Sequence, residues 1–259
     1  MFLKESYRVL EMIEIKNENE IKIMVEGARL LAKVLEVLKE SVSPGITTKE
    51  LNELAEALIF NYGAEPAFKD YQGFPATLCA SLNEVIVHGL PSEYSLKEGD
   101  LLSLDIGLYY KKFFADMAAT VGVGKISREK ENLIRTVEGS FESSLGVIKP
   151  GNYLEEIGER VEAYSRKRGF NVIRELCGHG IGRNLHEDPQ VVNYKEPEKT
   201  ILLKEGMVFC IEPMISTGDW RIKKAADGFG WKTADNSLSS HYEHEVLVTK
   251  DGCRVLTRL

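Results

Sequence analysis

Apolar residues recur at three- and four-residue intervals at Ile21, Met24, Ala28, Leu31, Leu35 and Leu38, which is the spacing of one helix face. Asn17 and Glu20 form a capping box ahead of this run, and Ser43-Pro44-Gly45 stops it. A second helix is expected from about Thr47, boxed with Glu50, to Gly63, burying Leu51, Leu54, Leu58 and Ile59. Residues 64–91 mix aromatics, glycine and proline and read as a loop that leads into a strand over Glu84 to His88. The segment 101–124 is two β-rich runs around Lys111-Lys112, the pattern of a hairpin. Helical spacing returns from about Ser127 to Lys149 and again from Asn152 to Gly169. Strands are expected near 171–176, 207–215, 241–249 and 253–257.

The pattern repeats. Leu-Lys-Glu-Gly occurs at 96–99 and at 203–206, and each copy leads into an apolar strand that meets a carboxylate at the same distance, Asp105 and Glu212. Upstream, Pro44-Gly45 and Pro150-Gly151 each begin a helical stretch, and Glu50, Glu53, Glu56 and Ala57 recur as Glu156, Glu159, Glu162 and Ala163. Each half then carries a histidine shortly before a proline, His88 with Pro91 and His186 with Pro189. Any one of these matches is ordinary turn chemistry, but their shared order argues for an internal duplication around one site.

Composition narrows the function classes. The 259 residues, 43% hydrophobic and 28% charged, suit one large domain or two fused halves with a shared core. A net charge of −7 gives no footprint for nucleic acid. The four cysteines show no Cys-x-x-Cys pairing, which fits a reducing cytosol and no disulfide framework. The charged N-terminus lacks the apolar core of a signal peptide, and no run reaches the length of a membrane span, so a soluble cytoplasmic protein is expected.

With Tyr110 and Lys111 as the two-residue turn of the hairpin, Asp105 and Asp116 fall directly opposite one another. Facing carboxylates in an apolar hairpin must share a proton or hold a cation, and a metal resolves the conflict directly. The loop CGHGIGRNLHEDP, 177–189, sets His179 and His186 among three glycines that allow close backbone approach. It is a poor nucleotide loop, because no ribose-binding acid follows it, and a Cys177–His179 nucleophile pair has nothing to orient its imidazole. In HYEHEVLVT, 241–249, alternation sets His241, Glu243 and Glu245 on one strand face and His244 on the other. Periodicity does not choose between the two acids; Glu245 by itself reads as a solvated edge charge. Asp105, Asp116, His179, Glu212 and one of Glu243 or Glu245 then make one imidazole and four carboxylates. That set suits two dications among manganese, iron, cobalt and zinc, about 3.5–4 Å apart and activating a water for hydrolysis.

At these residues the chain resembles the type I methionine aminopeptidases of the pita-bread metallopeptidases. The similarity runs from about Ile15 to the C-terminus through SLNEVIVHGLP, SLDIG, the Asp116 strand, CGHGIGRNLHEDPQV, IEPM and YEHEVLVT. It implies an α+β pita-bread fold of two pseudo-symmetric halves, with an antiparallel sheet core covered by helices. A tail over 1–14 would precede a single domain over 15–259, with halves near 15–125 and 126–259. By the same resemblance the metal ligands are Asp105, Asp116, His179, Glu212 and Glu243, with Asp116 and Glu243 bridging both ions. His88 and His186 become catalytic substrate contacts, Glu212 a proton shuttle and a metal-bridging water the nucleophile, while Phe68, Tyr71, Phe74, Cys79 and Phe229 line a methionine pocket.

The implied substrates are peptides and nascent chains with an N-terminal methionine, met at the ribosome by a monomer, with a small second residue preferred. Gln72, Phe68 and Leu185 depart from frequent family residues at the pocket rim rather than at the metals. The stretch between His186 and Glu212 is too short for the helical insertion of type II enzymes, and no cysteine-rich extension is present. A Xaa-Pro peptidase on this fold would normally carry a further N-terminal domain, and a catalytically silent binding protein would have lost ligands.

Overall fold

The computed structural model describes residues 13–259, so residues 1–12 of the expected tail lie outside it. Helix α1, Glu18–Ser41, starts on the expected box: the Asn17 side chain accepts the Glu20 N–H, and Glu20 caps Asn17 in return. Helix α2, Thr48–Asn61, has the same device in Thr47 and Glu50. Helix α1 packs on the hairpin of β4, Leu101–Tyr110, and β5, Phe113–Gly122, and α2 packs beside α1 in the same apolar cluster.

The hairpin forms as expected but in another register. Lys111 and Lys112 make the turn, with φ of 48° and 74°, so Asp105 pairs with Ala118 and Asp116 with Gly107. A turn with both central residues left-handed matches the right-handed twist of the strands, which selects this pair over Tyr110-Lys111. The shift is two residues, an even number, so the two aspartates stay on one face and stand diagonally instead of opposite.

The region read as a loop before Glu84 contains two strands, β1, Glu65–Pro66, and β2, Leu78–Leu82, both on the β4 edge away from β5. A short β3, Val85–Val87, leads into His88, whose φ is 58°. Its neighbour Gly89 admits no side chain, since a Cβ there would lie 2.6 Å from the Ala80 carbonyl oxygen.

In the second half α3, Arg128–Leu145, ends before Lys149. Helix α4, Glu155–Arg166, begins after Asn152, whose side-chain amide donates to the Val147 carbonyl and closes the turn ahead of the helix. The expected strand at 171–176 shrinks to β6, Asn171–Val172. Next come β7, Cys177–Gly180, β8, Glu187–Val192, β9, Val208–Ile211, and β10, Met214–Ser216. A hairpin of β11, Ile222–Lys224, and β12, Trp231–Thr233, lies beside β3. The chain closes with β13, Ser239–His241, β14, His244–Val248, and β15, Cys253–Val255.

Pairing makes a five-stranded antiparallel sheet, β15-β14-β9-β7-β8, and a three-stranded one, β13-β10-β6. Two backbone hydrogen bonds between Ala118 and Glu243 join the second half to β5. Gly99 and Gly206, the repeated glycines, share a left-handed φ of 93° and 87°, so the duplicated sequence has duplicated backbone. Among the described residues no helix is long and apolar enough to cross a membrane.

Candidate metal centre

Carboxylates converge where β4, β5 and the second half meet. Asp105 and Asp116 come from mid-strand, whereas Glu212 follows β9 and Glu243 precedes β14. All four are 9% exposed or less. His179 on β7 approaches Glu212 at 3.5 Å and Asp116 at 4.0 Å through Nε2. Its Nδ1 lies 2.9 Å from the Gly180 carbonyl, a contact that requires the proton on Nδ1 and leaves the Nε2 lone pair for a cation.

Ligand atoms of Asp105, Asp116 and Glu243 lie within 4.8 Å of one another, as do those of His179, Cys210 and Glu243 and those of Glu212, His241 and Glu243. Asp105 Oδ1, Asp116 Oδ1 and Glu243 Oε1 are buried without a hydrogen-bond partner among the described residues. Orphaned oxygens cost free energy on burial, and clustered anions add repulsion; divalent cations would answer both. The donor set therefore fits metal.

The electrostatics agree. Burial pushes the Asp105 carboxyl up to about 7. Burial, followed by the charges of neighbouring acids, holds Asp116, Glu212 and Glu243 well above the usual carboxylate range. The imidazoles move the other way: burial lowers His88 to about 4, with Lys224 and His186 adding to it, and lowers His179 to about 3, with His186 adding to it. Neutral imidazoles can ligate or donate one hydrogen bond.

This cluster forms the floor of a cleft of about 830 Å³ that brings together the residues the resemblance implies: Asp105, Asp116, His179, Glu212 and Glu243 with His88, His186, Phe68, Tyr71, Phe74, Cys79 and Phe229, whereas His241, His244 and Glu245 do not line it. Gly107, opposite Asp116, makes room for the pocket wall, because a Cβ there would lie 2.7 Å from Phe68 Cε1. Phe74 and Phe229 meet edge to face at 5.6 Å.

Other contacts around the site are set by the fold. The Tyr71 hydroxyl lies 2.8 Å from His186 Nδ1, a pairing that joins distant segments and has no local signal. His241 is 1% exposed, with Nε2 3.8 Å from both Glu212 and Glu243. Burial lowers it to about 3, and neither ring nitrogen has a partner among the described residues. Glu245 overturns its expectation as a solvated edge charge: it is fully buried, accepts the Asp116 N–H at 2.9 Å, and is pushed up to about 8 by burial. Its strand β14 runs between β9 and β15, so it has no free edge.

Comparison with known proteins supplies the context. Metallopeptidase family M24 matches residues 22–250. A methionine aminopeptidase of Clostridium perfringens is 46% identical over 95% of this chain and 99% of its own length. The crystal structure of methionine aminopeptidase from Rickettsia prowazekii superposes with a TM-score of 0.93 at 35% identity, covering 95% of this chain and 100% of that one. That from Thermotoga maritima gives 0.93 at 38% identity over 96% and 100%.

Proposed function

The chain belongs to metallopeptidase family M24 and, within it, to the methionine aminopeptidases, and on that premise we propose how it removes an N-terminal methionine. Asp105, Asp116, His179, Glu212 and Glu243 would hold two divalent cations of cobalt, manganese, iron or zinc, and Asp116 and Glu243, whose orphaned oxygens lie in the same cluster, would serve both. The convergence of one imidazole and four buried carboxylates, three with orphaned oxygens, carries this reading. When bound, the cations would supply Lewis acidity and a water of lowered pKa as the nucleophile.

The remaining steps fall to side chains of the cleft. Glu212 accepts the proton of the attacking water on a carboxylate oxygen and passes it to the leaving amine. With His186 Nδ1 accepting a hydrogen bond from the Tyr71 hydroxyl, 2.8 Å away, Nε2 would carry the ring proton and serve as the donor to the oxyanion. His88, neutral at physiological pH, binds the scissile amide. Phe68, Tyr71, Phe74, Cys79 and Phe229 enclose the methionine thioether, which aromatic faces favour. The free amine sits beside Asp105, which limits cleavage to the first residue. A small second residue is preferred, because a bulky one crowds the cleft.

The substrates are nascent chains and peptides, met at the ribosome in the cytosol by a monomeric enzyme. Four unpaired cysteines suit that reducing compartment. The test is release of free methionine from Met-Ala-Ser by metal-loaded protein, with an Ala-Pro peptide as control. Cleavage of the first alone, abolished by chelation, is expected; intact Met-Ala-Ser refutes the reading.

A further inference from the structure

Lys16 lies just ahead of α1, yet its side chain is only 1% exposed. Its Nζ contacts Glu187 Oε2 and Glu14 Oε2, each at 2.6 Å. Glu14 is 51% exposed and Glu187 only 11%, so the inner, desolvated pair is Lys16 with Glu187. A buried ammonium persists only where an anion meets it, and losing one partner of such a pair leaves an uncompensated charge.

Glu187 directly follows His186. Its second oxygen, Oε1, accepts the Asn184 N–H at 3.0 Å, and the Gly182 N–H donates to the Asn184 carbonyl at 3.2 Å, so one carboxylate closes the turn that presents His186. Lys16 passes directly over Gly182, where a Cβ would lie 2.5 Å from Lys16 Cε. The lysine is itself anchored, because its backbone N–H donates to the Gly206 carbonyl at 2.9 Å. Farther out, Arg183 pairs with Glu14 and Glu20, adding exposed contacts between the same two segments.

We propose that Lys16 is a positioning residue for His186: by fixing the Glu187 carboxylate it sets the backbone from which the imidazole reaches the scissile carbonyl. The proposal rests on the reading of His186 as a substrate contact. The Lys16 ammonium bonds to Glu14 and Glu187, and among the described residues that line the cleft Glu187 is present and Lys16 is not.

A double-mutant cycle separates this role from plain structural support. Lys16→Met lowers kcat on Met-Ala-Ser about ten- to a hundredfold, the range for residues that orient a catalytic group, with metal content unchanged. In a His186→Ala background the same change costs no more than about twofold, because the group it positions is gone. Lys16→Arg, which keeps the charge, recovers most of the kcat. An equal loss in both backgrounds overturns the proposal and leaves Lys16 as structural support. If His186→Ala alone leaves kcat unaltered, the role given to His186 fails, and this proposal falls with it. Should Lys16→Met not fold, Glu187→Gln enters the same cycle; it keeps an acceptor for Asn184 and removes the charge. A smaller loss that vanishes in the His186→Ala background is then expected, and a loss that persists there overturns the proposal.

Discussion

The two halves deliver their acids by different means. Asp105 and Asp116 sit inside unbroken ten-residue strands, where alternation alone decides which way a side chain faces. Glu212 and Glu243 sit at interruptions: β9 ends at Ile211 and β10 starts at Met214, while β13 ends at His241 and β14 starts at His244. At both breaks the chain passes from one sheet to another, and the Tyr242 N–H bonds across to the Pro213 carbonyl. Pro213 lacks an N–H and cannot extend β9 as a ladder strand. The duplicated sequence thus makes one regular half and one folded at its acids, and the site lies where the second bends over the first.

If both halves supply shared ligands, Asp116→Ala and Glu243→Ala are equivalent despite their different settings. Each is expected to lose both metals and drop activity to background, measured by metal analysis and methionine release; full metal content in either variant breaks the equivalence. His88→Ala, at the left-handed end of β3, retains the metals and lowers kcat on the order of a hundredfold.

A pH series sharpens the comparison further, because Asp105 reports on the regular half and Glu245 on the bent one. Below about pH 4 folded and unfolded chains both keep these protons. Above it the unfolded chain releases them, whereas the folded chain holds them until about 7 at Asp105 and about 8 at Glu245. These groups therefore make the metal-free protein less stable as pH rises from about 4 to 8, read as a Tm that falls across that window. Added metal raises Tm most at the alkaline end. Glu245→Gln makes that slope shallower from about pH 4 to 8 while keeping an acceptor for the Asp116 N–H and leaving the share of the ligand acids, and a slope unchanged by it contradicts this assignment. The smallest effect is expected of Tyr71→Phe, which keeps the ring and removes the His186 partner, costing up to about tenfold in kcat.

The same contrast explains what the chain's sequence could reveal. Capped helices and the Asp105–Asp116 hairpin were legible because capping, turn and alternation signals are local; even a register error of two residues kept both acids on the right face. At the break before β14, alternation no longer decides between Glu243 and Glu245. Motif resemblance chose Glu243, and the structure lines the cleft with Glu243 while giving Glu245 to the Asp116 backbone. Strand β2 was missed because aromatic, glycine and proline residues around it mimic a loop, although its Leu78 is fully buried against β4. Tyr71 with His186 and Lys16 with Glu187 pair residues far apart in the chain, and no periodicity encodes such contacts.

Anomalous scattering from crystals soaked in manganese tests the central claim most directly. Two neighbouring peaks are expected among Asp105, Asp116, His179, Glu212 and Glu243, with Asp116 and Glu243 touching both. A single peak, or density away from these side chains, would contradict a shared two-cation centre.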